Sequence, residues 1–170
     1  MTQLFEKQTV SANEVIEKLK LRPLTVEGGF FYETYRSTAM LPDGKHSCGT
    51  CIYYLMQSNN YSNWHKVSGD EIWLYHAGVP AIQLLLFPDG SWAERIIGPD
   101  IIEGQIPQSL IPAGTWQAAT LLSRKPDDWG LFGAAVFPSF EYADFTVGNG
   151  AELAEMYPAA AGRMKTLGLN

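Results

Sequence analysis

A chain of 170 residues is long enough for one domain with a proper core, and its composition, with 12% aromatics, is that of a globular protein. The formal net charge of −6 leaves no basic stripe to neutralise phosphates, so nucleic acid is not an expected partner. No apolar run is long enough for a bilayer span, and the opening MTQLFEK lacks the basic-then-apolar order of a signal peptide; a cytoplasmic location is expected, without a membrane partner. The two cysteines would be reduced there.

In chain order, Ser11 and Glu14 form a capping box ahead of Val15, Ile16 and Leu19, which predicts a helix over 12–20 that Pro23 ends. The region from there to about residue 147 reads as strands. Segments 30–36, 50–56, 81–87, 92–97, 115–122 and 131–137 are rich in β-branched, aromatic or aliphatic residues, and Gly, Pro and Asn punctuate them. Pro88-Asp89-Gly90-Ser91 predicts a tight hairpin between two of them, because Asp-Gly supplies positive φ. The strand over 81–87 carries Leu84, Leu85 and Leu86 without alternation and needs cover on both faces. A helix opening at Asn149, with Glu152 at the reciprocal position, runs to Pro158, and 159–167 can form another. No repeat or linker divides the chain, so 1–170 is read as one domain with a barrel core over about 24–147.

Residues 59–78, NNYSNWHKVSGDEIWLYHAG, carry the chemistry. If His65 ends one strand and Glu71 begins the next across a Ser68-Gly69-Asp70 turn, alternation places His65 and Val67 on one face. Glu71, Trp73 and Tyr75 then share a face of the following strand, and His76 points away. A hairpin of this kind sets an imidazole opposite a carboxylate on the concave side, as a base with its partner or as part of a metal site. Pro112-Ala113-Gly114 launches a later strand whose first inward polar residue is Gln117. His46, Cys48 and Cys51 lack a second cysteine pair and are read as packing and surface residues.

These segments resemble the two cupin motifs. Asn59, His65, Glu71 and Gly78 follow the pattern G-x(5)-H-x-H-x(3,4)-E-x(6)-G, with Asn59 at the first Gly through tolerated positive φ and Val67 at the second His. Pro112, Gly114 and Gln117 follow P-x-G-x(2)-H, with Gln117 in place of His. The phrases EGGFFYETYR (27–36), DEIWLYHAG (70–78) and FPSFEYADF (137–145) resemble more narrowly the uncharacterised cupin family DUF985, or Cupin_5, an RmlC-like cupin group.

The resemblance implies an all-β fold: a cupin double-stranded β-helix, or jelly-roll barrel, with an N-terminal helix, a C-terminal helical appendage and pairing into a homodimer through an outer sheet. It implies a small-molecule ligand inside the barrel. Metal-bearing cupins offer three His and one Glu, whereas here only His65, Glu71 and a weak oxygen donor, Gln117, are available; a metal-free polar cluster without cofactor is favoured. Metal-free cupin epimerases use a His base and a Tyr acid. By that analogy His65 is the base, Glu71 its orienting carboxylate and Gln117 a substrate donor, with Tyr32, Tyr35 or Tyr75 as the acid. Trp73 and Tyr75 would line the pocket, and Glu33 and Arg36 would meet an anionic ligand or form an ion pair, Arg36 being favoured for the ligand. An isomerase or epimerase for a sugar-like or carbonyl metabolite, a non-catalytic metabolite-binding module and a weakly metal-dependent enzyme all remain open.

Overall fold

The computed structural model describes residues 10–169; the opening heptapeptide lies outside that range. The first helix, α1 (Ala12–Leu19), begins at the expected capping box: Ser11 accepts from the Glu14 amide, and the Glu14 carboxylate accepts from the Ser11 amide. Lys20 closes it in the left-handed region. Its apolar side, Val15, Ile16 and Leu19, packs against Leu21, Leu55 and Trp129.

Eleven strands follow among the described residues, in two antiparallel sheets. The six-stranded sheet orders β1 (Arg22–Pro23), β2 (Phe30–Arg36), β3 (Thr50–Gln57), β10 (Trp129–Phe137), β5 (Asp70–Gly78) and β8 (Gln108–Ile111). The five-stranded sheet orders β11 (Thr146–Val147), β4 (Ser62–Lys66), β9 (Trp116–Leu121), β6 (Ala81–Leu86) and β7 (Trp92–Ile97). The six strands expected from composition are present. β1, β8 and β11 were not anticipated, being only two to four residues long. The β6–β7 hairpin turns as expected, with Gly90 at φ 86 and Asp89 accepting from the Ser91 amide at 2.9 Å.

Two expectations need correction. β4 and β5 do not form a hairpin: β4 pairs with β9 and β11, whereas β5 pairs with β10 and β8. The link through Val67, Ser68 and Gly69 therefore crosses between sheets, with Val67 buried on the way. Nor does Asn59 adopt positive φ; among the described non-glycine residues only Lys20 and Asp127 do. Gly78 at the other end of the motif does so (φ 83), and a Cβ there would collide with the Trp129 carbonyl.

Between the sheets, Trp73, Phe132, Tyr54, Met56, Leu85, Ile97, Ile111 and Leu121 form the main core. Every residue of β6 is buried. Its outer face, Leu84 and Leu86, is covered by α2 (Gly150–Met156) and α3 (Pro158–Leu167) through Leu153, Tyr157, Ala160 and Met164. The cover that this unalternating strand demands comes from the chain's own C-terminal helices. Asn149 caps α2, its side chain accepting from the Ala151 and Glu152 amides. Among the described residues no helix is long and apolar enough to cross a membrane.

Leu84 is fully buried against these helices. Leu84→Ala is expected to cost about 2–5 kcal/mol by cavity formation, measured by urea denaturation. Amide exchange should rise in residues 150–169 before it rises in β3 or β10.

Candidate functional site

Alternation builds the site strand by strand. Phe31 and Glu33 of β2, Thr50, Ile52 and Tyr54 of β3, Ala134 and Val136 of β10, and Glu71 and Trp73 of β5 all face one cavity of about 250 Å³. His65 and Val67 close it from the opposite sheet. The turn before β2 contributes Glu27, and the segment after β10 contributes Phe140, Glu141, Tyr142 and Phe145. Exposed Arg22, Glu33, Arg36 and Tyr142 mark the mouth; buried Tyr54, His65, Glu71 and Trp73 mark the interior.

His65 is 3% exposed. Its Nδ1 lies 2.7 Å from the Asn63 carbonyl oxygen, which can only accept, so Nδ1 carries the proton. In the neutral ring Nε2 is then a bare acceptor, and Glu27 Oε1 stands 3.9 Å from it, beyond hydrogen-bond range. Phe145 stacks on the imidazole with centroids 5.2 Å apart. The Asn63 carbonyl thus orients the ring, and the nearest carboxylate is Glu27; Glu71 does neither.

Glu71 is held differently. Gln117 Nε2 donates to its Oε2 at 2.5 Å, and Trp73 Nε1 donates to its Oε1 at 3.0 Å. Burial pushes the Glu71 carboxyl above its ordinary value; the charged form of His65 pulls it back, Glu27 adds to the rise, and the two donors oppose it. Gln117 pairs directly across from His65 in the sheet, and it meets the cavity only through Glu71.

Glu27, which the sequence reading left without a role, accepts from the Ser62 hydroxyl at 2.8 Å. The glycines after it hold it there: Gly28 and Gly29 have φ of 99 and 72, and a Cβ on Gly29 would lie 2.6 Å from the Leu55 carbonyl oxygen. Tyr54 donates to the Gly28 carbonyl at 3.0 Å. Burial above all, then the charge of Glu27, pushes its phenol well above the ordinary range, so it keeps its proton.

Of the expected tyrosines, Tyr32 and Tyr35 are exposed on the outside, and Tyr75 lies behind Trp73, packed on Phe132 with its hydroxyl on the Gly78 carbonyl. None of the three lines the cavity, because Trp73 and Phe132 fill the barrel before Tyr75 is reached; Tyr54 is the buried phenol that does. Glu33 and Arg36 both reach the mouth, although three positions apart and so out of phase on a regular strand, because the β2–β3 register shifts between Glu33 and Tyr35. Arg36 is already committed: it donates to Glu33 at 3.1 and 2.9 Å, to Glu141 at 2.6 Å and to the Phe140 carbonyl at 3.2 Å. Its preferred reading as an anion receptor gives way to the ion pair. His76 faces outward, edge-on to Tyr53.

His46 bonds neither cysteine. It bridges Asp43 (2.5 Å) and Asp144 (2.7 Å), and its contact holds the Asp43 carboxyl down to about 2. Cys48 is exposed and Cys51 half-buried, both free.

The donor set does not suit the metal that many cupins carry. Val67 cannot ligate, Gln117 turns its amide nitrogen to Glu71, and Trp73 occupies the other carboxylate oxygen. Among the described residues no three His, Cys, Asp or Glu side chains converge as a metal site.

The uncharacterized protein YML079W of Saccharomyces cerevisiae is 29% identical over 141 residues, covering 74% of this chain and 70% of that one. Protein SO0799 of Shewanella oneidensis superposes with a TM-score of 0.83 at 29% identity, over 93% and 97% of the two chains. A hypothetical protein from Leishmania major gives a TM-score of 0.82 at 25% identity, over 93% and 98%. The model of the Cupin superfamily (DUF985) family, Cupin_5, matches residues 13–148, and the chain belongs to that family.

Proposed function

We propose that the cavity is a metal-independent acid–base site, acting as an isomerase or epimerase on a sugar-like or carbonyl metabolite in the cytoplasm, where free Cys48 and Cys51 stay reduced. The observation that carries this reading is the fixed tautomer of His65: the Asn63 carbonyl holds the proton on Nδ1, and Nε2 faces the cavity as a base. In the proposed step the C–H bond beside the substrate carbonyl breaks and an N–H bond forms at Nε2. The electron pair moves into the carbonyl to give an enolate; the proton then returns to that carbon, or, in an isomerisation, the hydroxyl on that carbon passes its proton to the former carbonyl oxygen and the proton on Nε2 goes to the former carbonyl carbon. From the opposite sheet Tyr54 supplies a protonated phenol, which donates to the Gly28 carbonyl.

A second reading, a non-catalytic binding module, is supported by the closure of Glu71 with Gln117 and Trp73, since a carboxylate satisfied on both oxygens rigidifies a wall without taking part in proton transfer. Incubation in D₂O with a panel of aldoses and ketoses, followed by NMR, separates the two. Wild-type protein should exchange the proton beside the carbonyl, a chelator should leave the rate unchanged, and His65→Asn should lower it by about 100-fold or more. Ligand retained with no exchange would favour the binding module, and loss of exchange on chelation would favour a metal enzyme.

Glu71 makes a pH prediction. Its folded pKa is raised above the ordinary 4.5, so its contribution to stability is full below 4.5 and is lost as pH rises through the folded value. Relative to Glu71→Gln, wild type should therefore weaken with rising pH above 4.5, by at most about 1.4 kcal/mol per pH unit. Urea denaturation across a pH series reads the difference, and a pH-independent gap would sink the assignment.

We also propose a homodimer formed through the outer face of the six-stranded sheet. Register aligns Tyr35, Cys51, Ala135, Ile72 and Leu110 in one outward row, and Leu110 is 51% exposed. Leu74→Arg, on the neighbouring row, should convert a dimer to monomer in light scattering without unfolding it; a monomeric wild type would refute the pairing.

A further inference from the structure

The cavity is acidic and aromatic at once. Glu27, Glu33, Glu71 and Glu141 line it against only two cations, Arg22 and Arg36. Four of the five N–H donors of Arg36 go to Glu33, Glu141 and the Phe140 carbonyl, and exposed Arg22 lies over the Phe31 ring, 5.9 Å from its centroid. A phosphate or carboxylate entering the interior would face Glu27 and Glu71 there, with Arg22 exposed at the mouth and Arg36 already paired with Glu33 and Glu141. Phe31, Tyr54, Trp73, Phe140, Tyr142 and Phe145 complete the walls, and aromatic faces attract cations.

Two acceptors stand side by side in the interior without a ligand-side donor. Glu27 Oε1 takes one hydroxyl proton from Ser62, and among the described residues none donates to Oε2. His65 Nε2 is 3.9 Å from that carboxylate and, with its proton fixed on Nδ1, donates nothing to it. A hydroxyl would bring Glu27 one proton and no charge, whereas an ammonium brings three protons and a positive charge and leaves Nε2 unoccupied. Bound on Glu27, an ammonium would set the carbon that carries it beside Nε2, and its positive charge would ease loss of that carbon's proton.

We infer that the substrate is an amino-bearing carbonyl compound, an amino sugar or amino ketone, whose ammonium group binds Glu27 while His65 Nε2 takes the proton from the adjoining carbon. The inference rests on the acid–base reading of the cavity for its catalytic half, and on the lining alone for its binding half. It ranks phosphorylated and carboxylated sugars below amino-bearing ones as ligands.

Calorimetry with four matched probes tests it: glucosamine, glucose, N-acetylglucosamine, which lacks the charge, and glucose 6-phosphate. Glucosamine should bind about tenfold or more tighter than glucose, with the phosphate weakest. Glu27→Gln should erase the preference, while Glu27→Asp, which keeps the charge, should retain its sign; circular dichroism checks that both fold. Equal or tighter binding of the neutral or phosphorylated probes, a preference that survives Glu27→Gln, or no binding of glucosamine at millimolar concentration would overturn the inference. His65→Asn separates it from the acid–base reading: the variant should keep the ammonium preference and lose deuterium exchange. Preference without exchange in wild type defeats catalysis alone, and exchange on neutral sugars without preference defeats the cation site alone.

Discussion

The two sheets meet across a polar contact buried in an otherwise apolar interior: Gln117 on β9 donates to Glu71 on β5, and Trp73 donates to the other oxygen of the same carboxylate. An unpaired carboxylate at this depth would cost several kcal/mol, so both donors must stay in place. That requirement couples the spacing of the sheets to the shape of the cavity wall. Ser109 on β8, donating to Gln83 on β6 at 2.8 Å, makes a second buried polar crossing between the same two layers. Apolar packing brings the sheets together, and these directional contacts select one register between them.

A wall pinned in this way leaves room for groups that are not satisfied by the protein. Glu71 has a full set of partners and is thereby a structural acid, while His65 and Glu27 keep lone pairs toward the cavity. The division follows from where each partner comes from. Glu71 is served by side chains of both sheets, His65 by a backbone carbonyl two residues away, and Glu27 by a single hydroxyl. Burial of β6 under α2 and α3 keeps the outer side of the five-stranded sheet dry, so the strand that backs Gln117 does not have to trade packing for solubility.

Much of the architecture is legible in the sequence because it is local. The capping box at Ser11 and Glu14, the Asp89-Gly90 turn, and the alternation that puts Glu71 with Trp73 and His65 with Val67 are all decided within a few residues. What stays hidden depends on pairing at long range. Nothing between Lys66 and Asp70 says that β4 and β5 enter different sheets. The register shift that brings Arg36 and Glu33 to one side appears only when β2 lies on β3. Tyr54 was within reach, since Thr50, Ile52 and Tyr54 alternate in phase, but nothing in its own strand marks that phase as the inner one. Glu27 sits in a turn, where periodicity is silent, and the Asn63 carbonyl is a backbone atom that no residue type announces.

Substituting Val67 and Gln117 for the histidines that the cupin pattern places there does more than remove two ligands. A His at the position of Gln117 would offer Glu71 a ring nitrogen that could instead turn to a metal, whereas the Gln amide is a donor that ties the carboxylate down. With each of its oxygens already accepting one hydrogen bond, Glu71 is a poorer acceptor for a ligand than His65 Nε2 or Glu27. At two positions where the cupin pattern places ligands, Glu71 and Gln117, this chain has a hydrogen bond instead, and Trp73 adds a second to the same carboxylate. What the proposed acid–base chemistry then rests on is His65 Nε2, in a ring that the Asn63 carbonyl orients.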